Sequence, residues 1–155
     1  GILDMKLAEA LILRADYQKR IQQLSNRLES CVKVQEGEEP AEDPKELLQE
    51  LEHIFQELTK LIQRINLTNC SVQFDESRTL ADALVERDIL QNKRAILVHI
   101  AEVASIKQDR FSRSEVKFIS TIDIAKTQKE ADRLAKEFRE LDTKIQGMNW
   151  TIDLM

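Results

Sequence analysis

Two cysteines and two histidines are all the chain offers as thiol or imidazole metal ligands and as side chains that titrate near neutrality. Cys31 and Cys70 fall on either side of a long predicted helix. A disulfide tolerates only about 4.4–6.8 Å between Cα atoms, so both are expected to be plain thiols of a reducing compartment. His53 closes the one histidine-bearing Glu-x-x-His match, Glu50-Leu-Glu-His53, and His99 stands apart from it. A dimetal site in a helical bundle takes such pairs from more than one helix, and the last helix has no histidine. With no H-E-x-x-H or C-x-x-C spacing, neither a metal nor any other cofactor is expected. No Ser/His/Asp set, glycine-rich phosphate loop or clustered carboxylate pair stands out, so the chain does not read as an enzyme, and no small-molecule substrate is indicated.

The informative charges are arginines and loops. Arg14 and Arg87 interrupt apolar helix stripes at equivalent places. An arginine there must reach solvent or a carboxylate, because an unpaired buried charge costs several kcal/mol. Antiparallel pairing of the last two helices would put Asp142 beside Arg87, so a core ion pair Arg87–Asp142 is expected. Glu36, Glu38 and Glu39 form an acidic, turn-rich loop, while Lys107, Arg110, Arg113 and Lys117 form a basic stretch. Phe111 is an apolar anchor among those arginines. Glu36, Glu38, Glu39, Arg110, Phe111, Arg113 and Lys117 are therefore the candidate interface through which copies of the chain would associate. Trp150, the only tryptophan, is expected to close the opposite end.

Few turns separate the elements that carry these groups. The 155 residues include three glycines and two prolines, with 33% charged residues, a composition of long helices. The central stretch Pro44–Asn69 repeats Leu47, Leu51, Ile54, Leu58, Leu61 and Ile65 at coiled-coil-like spacings of four and three. Leu48, Phe55 and Ile62 widen that stripe, as in a helix buried on two sides. Asp43, Pro44 and Glu46 mark its start as cap, first position and capping-box partner. Other helices are predicted from Met5 to about Ser30, from Thr79 to Lys107, and from Thr121 or Asp123 to Asn149. Residues 32–35 and 115–119 alternate in the manner of short strands.

Leu7-Ala-Glu-Ala-Leu-Ile-Leu-Arg14 resembles Leu80-Ala-Asp-Ala-Leu-Val-Glu-Arg87. Leu58, Leu61, Ile65 and Asn69 likewise find counterparts in Phe138, Leu141, Ile145 and Asn149. The expected fold is mainly all-α: one domain over 1–155, an antiparallel four-helix bundle from two duplicated helix–strand–helix units (5–69 and 78–150). The two strand segments would pair as a small β element at one end.

VQEGEEPAEDP, LIQRINLTN, DRFSRSEVKFISTIDIA and AKEFRELDTKIQGMNWT together resemble the septicolysin-like family of small bacterial helical proteins. The resemblance implies a cytoplasmic protein without established activity, and the family name implies a haemolysin-like, membrane-active alternative. It carries no catalytic residues across.

A net charge of −5 makes general binding of nucleic acid or anionic lipid unfavourable, so no strong nucleic-acid signal is present. Met5–Leu13 is broken by Lys6 and Glu9 and does not read as a signal peptide. Ala95–Ile106, interrupted by His99 and Glu102, is too short to span a bilayer, so no transmembrane segment is expected. The reading is a cytoplasmic structural or interaction protein that forms a homo-oligomer. Membrane activity, and small-ligand or nucleic-acid binding through the basic loop 107–117, are the alternatives.

Overall fold

The structure, a computed structural model, describes residues 4–106 and 116–155. Its four helices are α1 (Leu7–Glu29), α2 (Pro44–Ser71), α3 (Leu80–Ser105) and α4 (Ile124–Asn149). Local chemistry sets their starts. Glu9 accepts the Lys6 N–H at 3.0 Å ahead of α1. Asp43 accepts from the Lys45 N–H at 3.0 Å ahead of α2, with Pro44 in the first turn. Thr79 and Asp82 form a reciprocal capping box at α3. Asp123 accepts from the Lys126 N–H at 3.0 Å, as an N-cap for α4 does.

The chain divides into two compact units, Gly1–Val72 with Gly147–Met155, and Gln73–Gln146. In the first, α1 packs against α2. Leu7, Leu24 and Leu28 of α1 are buried, as are Leu47, Ile54, Leu61 and Ile65 of α2. The second row beside the α2 stripe does not follow it inward, because Leu48 and Phe55 are 54% and 44% exposed. The hairpin is closed by the last residues of the chain. Leu7 N–H donates to Ile152 O at 2.8 Å, Leu154 N–H to Met5 O at 2.9 Å, and Met155 N–H to Thr68 Oγ1 at 2.8 Å. Leu154 is buried, whereas Trp150, expected to cover this end, is 58% exposed. Backbone groups that a helix end leaves without partners are thus met by an extended tail rather than an indole.

In the second unit, Arg87 early in α3 meets Asp142 late in α4, and Phe74 ahead of α3 meets Lys144, so the two helices run antiparallel. Leu80, Ala83 and Ala101 of α3 are buried, with Ala131, Leu134 and Ile145 of α4.

The expected helix–strand–helix units and small β element do not form. Among the described residues no strand exists, and the only β contacts are isolated bridges, Lys6 with Asp153 and Gln73 with Thr79. Residues 32–35 and 116–119 are exposed and belong to no strand. Val32 and Val34 alternate, as do Val116 and Phe118, but alternation alone does not supply a neighbouring strand.

Candidate functional site

Of the sequence-derived candidates, the structure brings Arg87 and Asp142 together. Arg87 Nη1 donates to Asp142 Oδ1 at 3.0 Å, with the side chains 22% and 32% exposed, so the pair is half-buried at the α3–α4 seam. Glu36, Glu38 and Glu39 are exposed on the loop before α2. Glu38 N–H donates to Gln35 O at 3.0 Å across a tight turn. Gly37 sits at its third position with φ +89°, a conformation an L side chain rarely adopts. The turn presents the carboxylates outward, and none of the three has an ion pair among the described residues. Glu42 differs: Arg27 holds it in a bidentate contact that keeps its carboxyl below the usual range. Lys117 is exposed, and Arg110, Phe111 and Arg113 lie outside the described residues. Cys31 is buried and Cys70 exposed, both as free thiols. His53 and His99 are both exposed.

Two surfaces emerge in the second unit. The first is an apolar end. Ile96, Ile100 and Val103 are exposed along the last turns of α3, as is Ile106 directly after it. Phe118 and Ile119, ahead of α4, are 82% and 83% exposed. Lone exposed aliphatics are ordinary, but Phe118 and Ile119 side by side are a large exposure of apolar surface.

The second surface is a cleft of about 600 Å³ between α3 and α4. Val85, Ile89 and Leu90 line it from α3 and Leu141 from α4. One end is built by the loop 73–79. Asp75 Oδ1 accepts the N–H groups of Ser77 and Arg78 at 3.0 and 2.9 Å, an Asx turn that fixes the loop. Arg78 returns to Asp75 Oδ2 through Nε at 2.9 Å and Nη2 at 2.5 Å, and reaches Glu86 through Nη1. These donors, chiefly the Arg78 guanidinium, hold the Asp75 carboxyl down to about 2. The same contacts raise the Arg78 pKa. Phe74, buried, is fixed by its N–H donating to Arg78 O at 2.8 Å. Two cations lie over its ring: the Arg78 guanidinium carbon at 5.0 Å and Lys144 Nζ at 4.2 Å from the centroid.

Neither surface was among the sequence candidates. The only signals were a lone aromatic in the polar linker Cys70–Ser77, and an Asp-x-x-Arg directly before a Thr-x-x-Asp helix start.

The described residues form a four-helix, all-α protein. No helix among the described residues is long and apolar enough to cross a membrane. The chain belongs to a family of unknown function, DUF6847, which it matches over residues 14–154. In solved structures it is similar to a functionally unknown conserved protein from Corynebacterium diphtheriae. The two share 45% identity at a TM-score of 0.92, over 98% of this chain and 99% of that one. No curated protein matches the chain. Membership of DUF6847 corrects the septicolysin-like resemblance: all four motifs that suggested it lie within the matched span. The haemolysin-like reading rested on that family name alone and goes with it.

Proposed function

We propose that this is a self-associating structural or interaction protein of the cytoplasm, working through recognition rather than catalysis and built from two duplicated helical hairpins. The observation that carries the reading is the exposure of Phe118 and Ile119, 82% and 83%, directly after the cation Lys117. The occupant proposed for this end is a second copy. Every copy carries the countercharge on the loop of Glu36, Glu38 and Glu39, which is exposed and has no ion pair among the described residues. An apolar anchor beside a lysine, meeting an acidic loop, is the composition of a specific interface.

Three further observations support parts of this reading. Arginine contacts hold carboxylates such as Asp75 and Glu130 charged, the pattern of structural ion pairs rather than of groups poised to exchange protons near neutrality. The exposed free thiol of Cys70 suits a reducing compartment. Duplication is supported by matching burial: Leu7 with Leu80, Ala10 with Ala83 and Ile65 with Ile145 are each 1% exposed or less.

The test is solution mass by light scattering for the wild type, a Phe118→Glu/Ile119→Glu variant and Trp150→Ala. We expect an oligomer for the wild type and Trp150→Ala, and a lower mass for the double variant. A wild type that stays monomeric at high micromolar concentration, or a double variant of unchanged mass, overturns the proposal.

A further inference from the structure

The cleft between α3 and α4 combines an apolar floor with an uneven charge balance at its rim. Val85, Ile89, Leu90 and Leu141 supply the floor, and Phe74 closes one end. Most rim carboxylates are already engaged. Glu86 is held by Arg78, and Glu137 accepts from Arg133 Nη1 at 2.7 Å. The two lysines are not. Lys144 lies over the Phe74 ring and has no ion pair among the described residues, although Glu140 is one turn earlier on α4. Lys93 has none either, and only a longer-range attraction to Glu130. Among the described residues Glu140 is the one rim acid without an ion pair, so two lysines without ion pairs face one such carboxylate.

Lys93 and Lys144 are both solvent-exposed, and cations beside an aromatic face and half-open aliphatic side chains complement a guest that is apolar along its length and anionic at its head. A volume near 600 Å³ falls within the range of small-molecule sites and is ample for an acyl chain of about a dozen carbons. We propose that this cleft binds a straight-chain anionic amphiphile. The chain lies on Val85, Ile89, Leu90 and Leu141, and the carboxylate or other anionic head pairs with Lys144 or Lys93. Glu86 and Glu137, kept on their arginines, do not repel the head group.

The probe is dodecanoate below its micelle concentration, titrated calorimetrically into the intact chain, with dodecyltrimethylammonium as the same chain bearing the opposite charge. We expect one site per chain, with the cationic amphiphile weaker by about tenfold or more. Lys144→Gln and Lys93→Gln together should weaken dodecanoate by a similar factor. Ile89 is 51% exposed, so Ile89→Glu is tolerated by the fold, as circular dichroism would confirm, and should abolish binding. The Phe118→Glu/Ile119→Glu variant should bind normally, which separates this site from the proposed self-association surface. Absence of binding, equal affinity for the cationic probe, or binding lost in the Phe118/Ile119 variant but kept in Ile89→Glu would each overturn the assignment.

Discussion

The Arg87 guanidinium meets the Asp142 carboxylate at 3.0 Å, tying the early turns of α3 to the late turns of α4. Asp88 offers Arg87 a second, looser carboxylate at 3.4 Å. Both members of the main pair keep some solvent, so it contributes modestly and mainly fixes which turns face each other. A double-mutant cycle with Arg87→Met and Asp142→Leu should give a coupling of about 0.5–1 kcal/mol in denaturant unfolding. Additive single changes would show that the contact adds nothing to stability.

Burial along the α2 stripe is graded, and stability should follow the gradient. Ile65 is fully buried at 0%, whereas Leu58, at an equivalent place in the spacing, is only half-buried. Ile65→Ala should cost about 3–4 kcal/mol and Leu58→Ala roughly half of that, because less surface leaves water at Leu58. Equal losses would contradict the observed packing.

Thr68 is the hinge of the tail. Its hydroxyl donates to Arg64 O at 2.8 Å and accepts the Met155 N–H at 2.8 Å, while the residue is 0% exposed. Thr68→Val keeps the shape and leaves the Met155 N–H without this acceptor, so about 1–2 kcal/mol should be lost. Asp153→Asn, which breaks the exposed contact to Lys6, should cost under about 0.5 kcal/mol. A larger effect at Asp153 than at Thr68 would place the tail's anchorage in the wrong contact.

Asp75 sets a pH dependence. Its carboxyl, ordinarily at 3.8, is held down to about 2 by the Arg78 hydrogen bond and loop N–H groups. A depressed folded-state pKa means the stabilisation is fully present above pH ~4 and is lost as pH falls through about 2. Melting temperature should therefore fall across that window in the wild type, and less steeply in Asp75→Asn. Identical slopes would remove Asp75 from the account.

The two thiols should differ in rate. Cys31 is 4% exposed and Cys70 lies open on the last turns of α2, so a thiol reagent should modify one equivalent rapidly and the second only on unfolding. Two equivalents reacting together in the native protein would refute the burial of Cys31.

What the sequence determined by itself was local. The four-and-three spacing of Leu47, Ile54, Leu61 and Ile65, the cap at Asp43 and the proline at 44 place α2 within two residues of its observed end, because helices are written by contacts between near neighbours. The Arg87–Asp142 contact was legible for a related reason: once two helices are antiparallel, numbering alone sets which turns meet. Tertiary structure decided the rest. Whether Val32 and Val34 become a strand depends on a distant partner that did not arrive, so residues 32–35 are irregular. Lys6 meets Asp153 across 147 positions, a pairing no local pattern encodes. The cleft exists because Phe74, Lys93 and Lys144 converge from a loop and two helices, and the spacing within any one of them says nothing about the others. Helix formation answers to neighbours a turn away, while cleft, tail and interface answer to the free energy of burying one part of the chain against another.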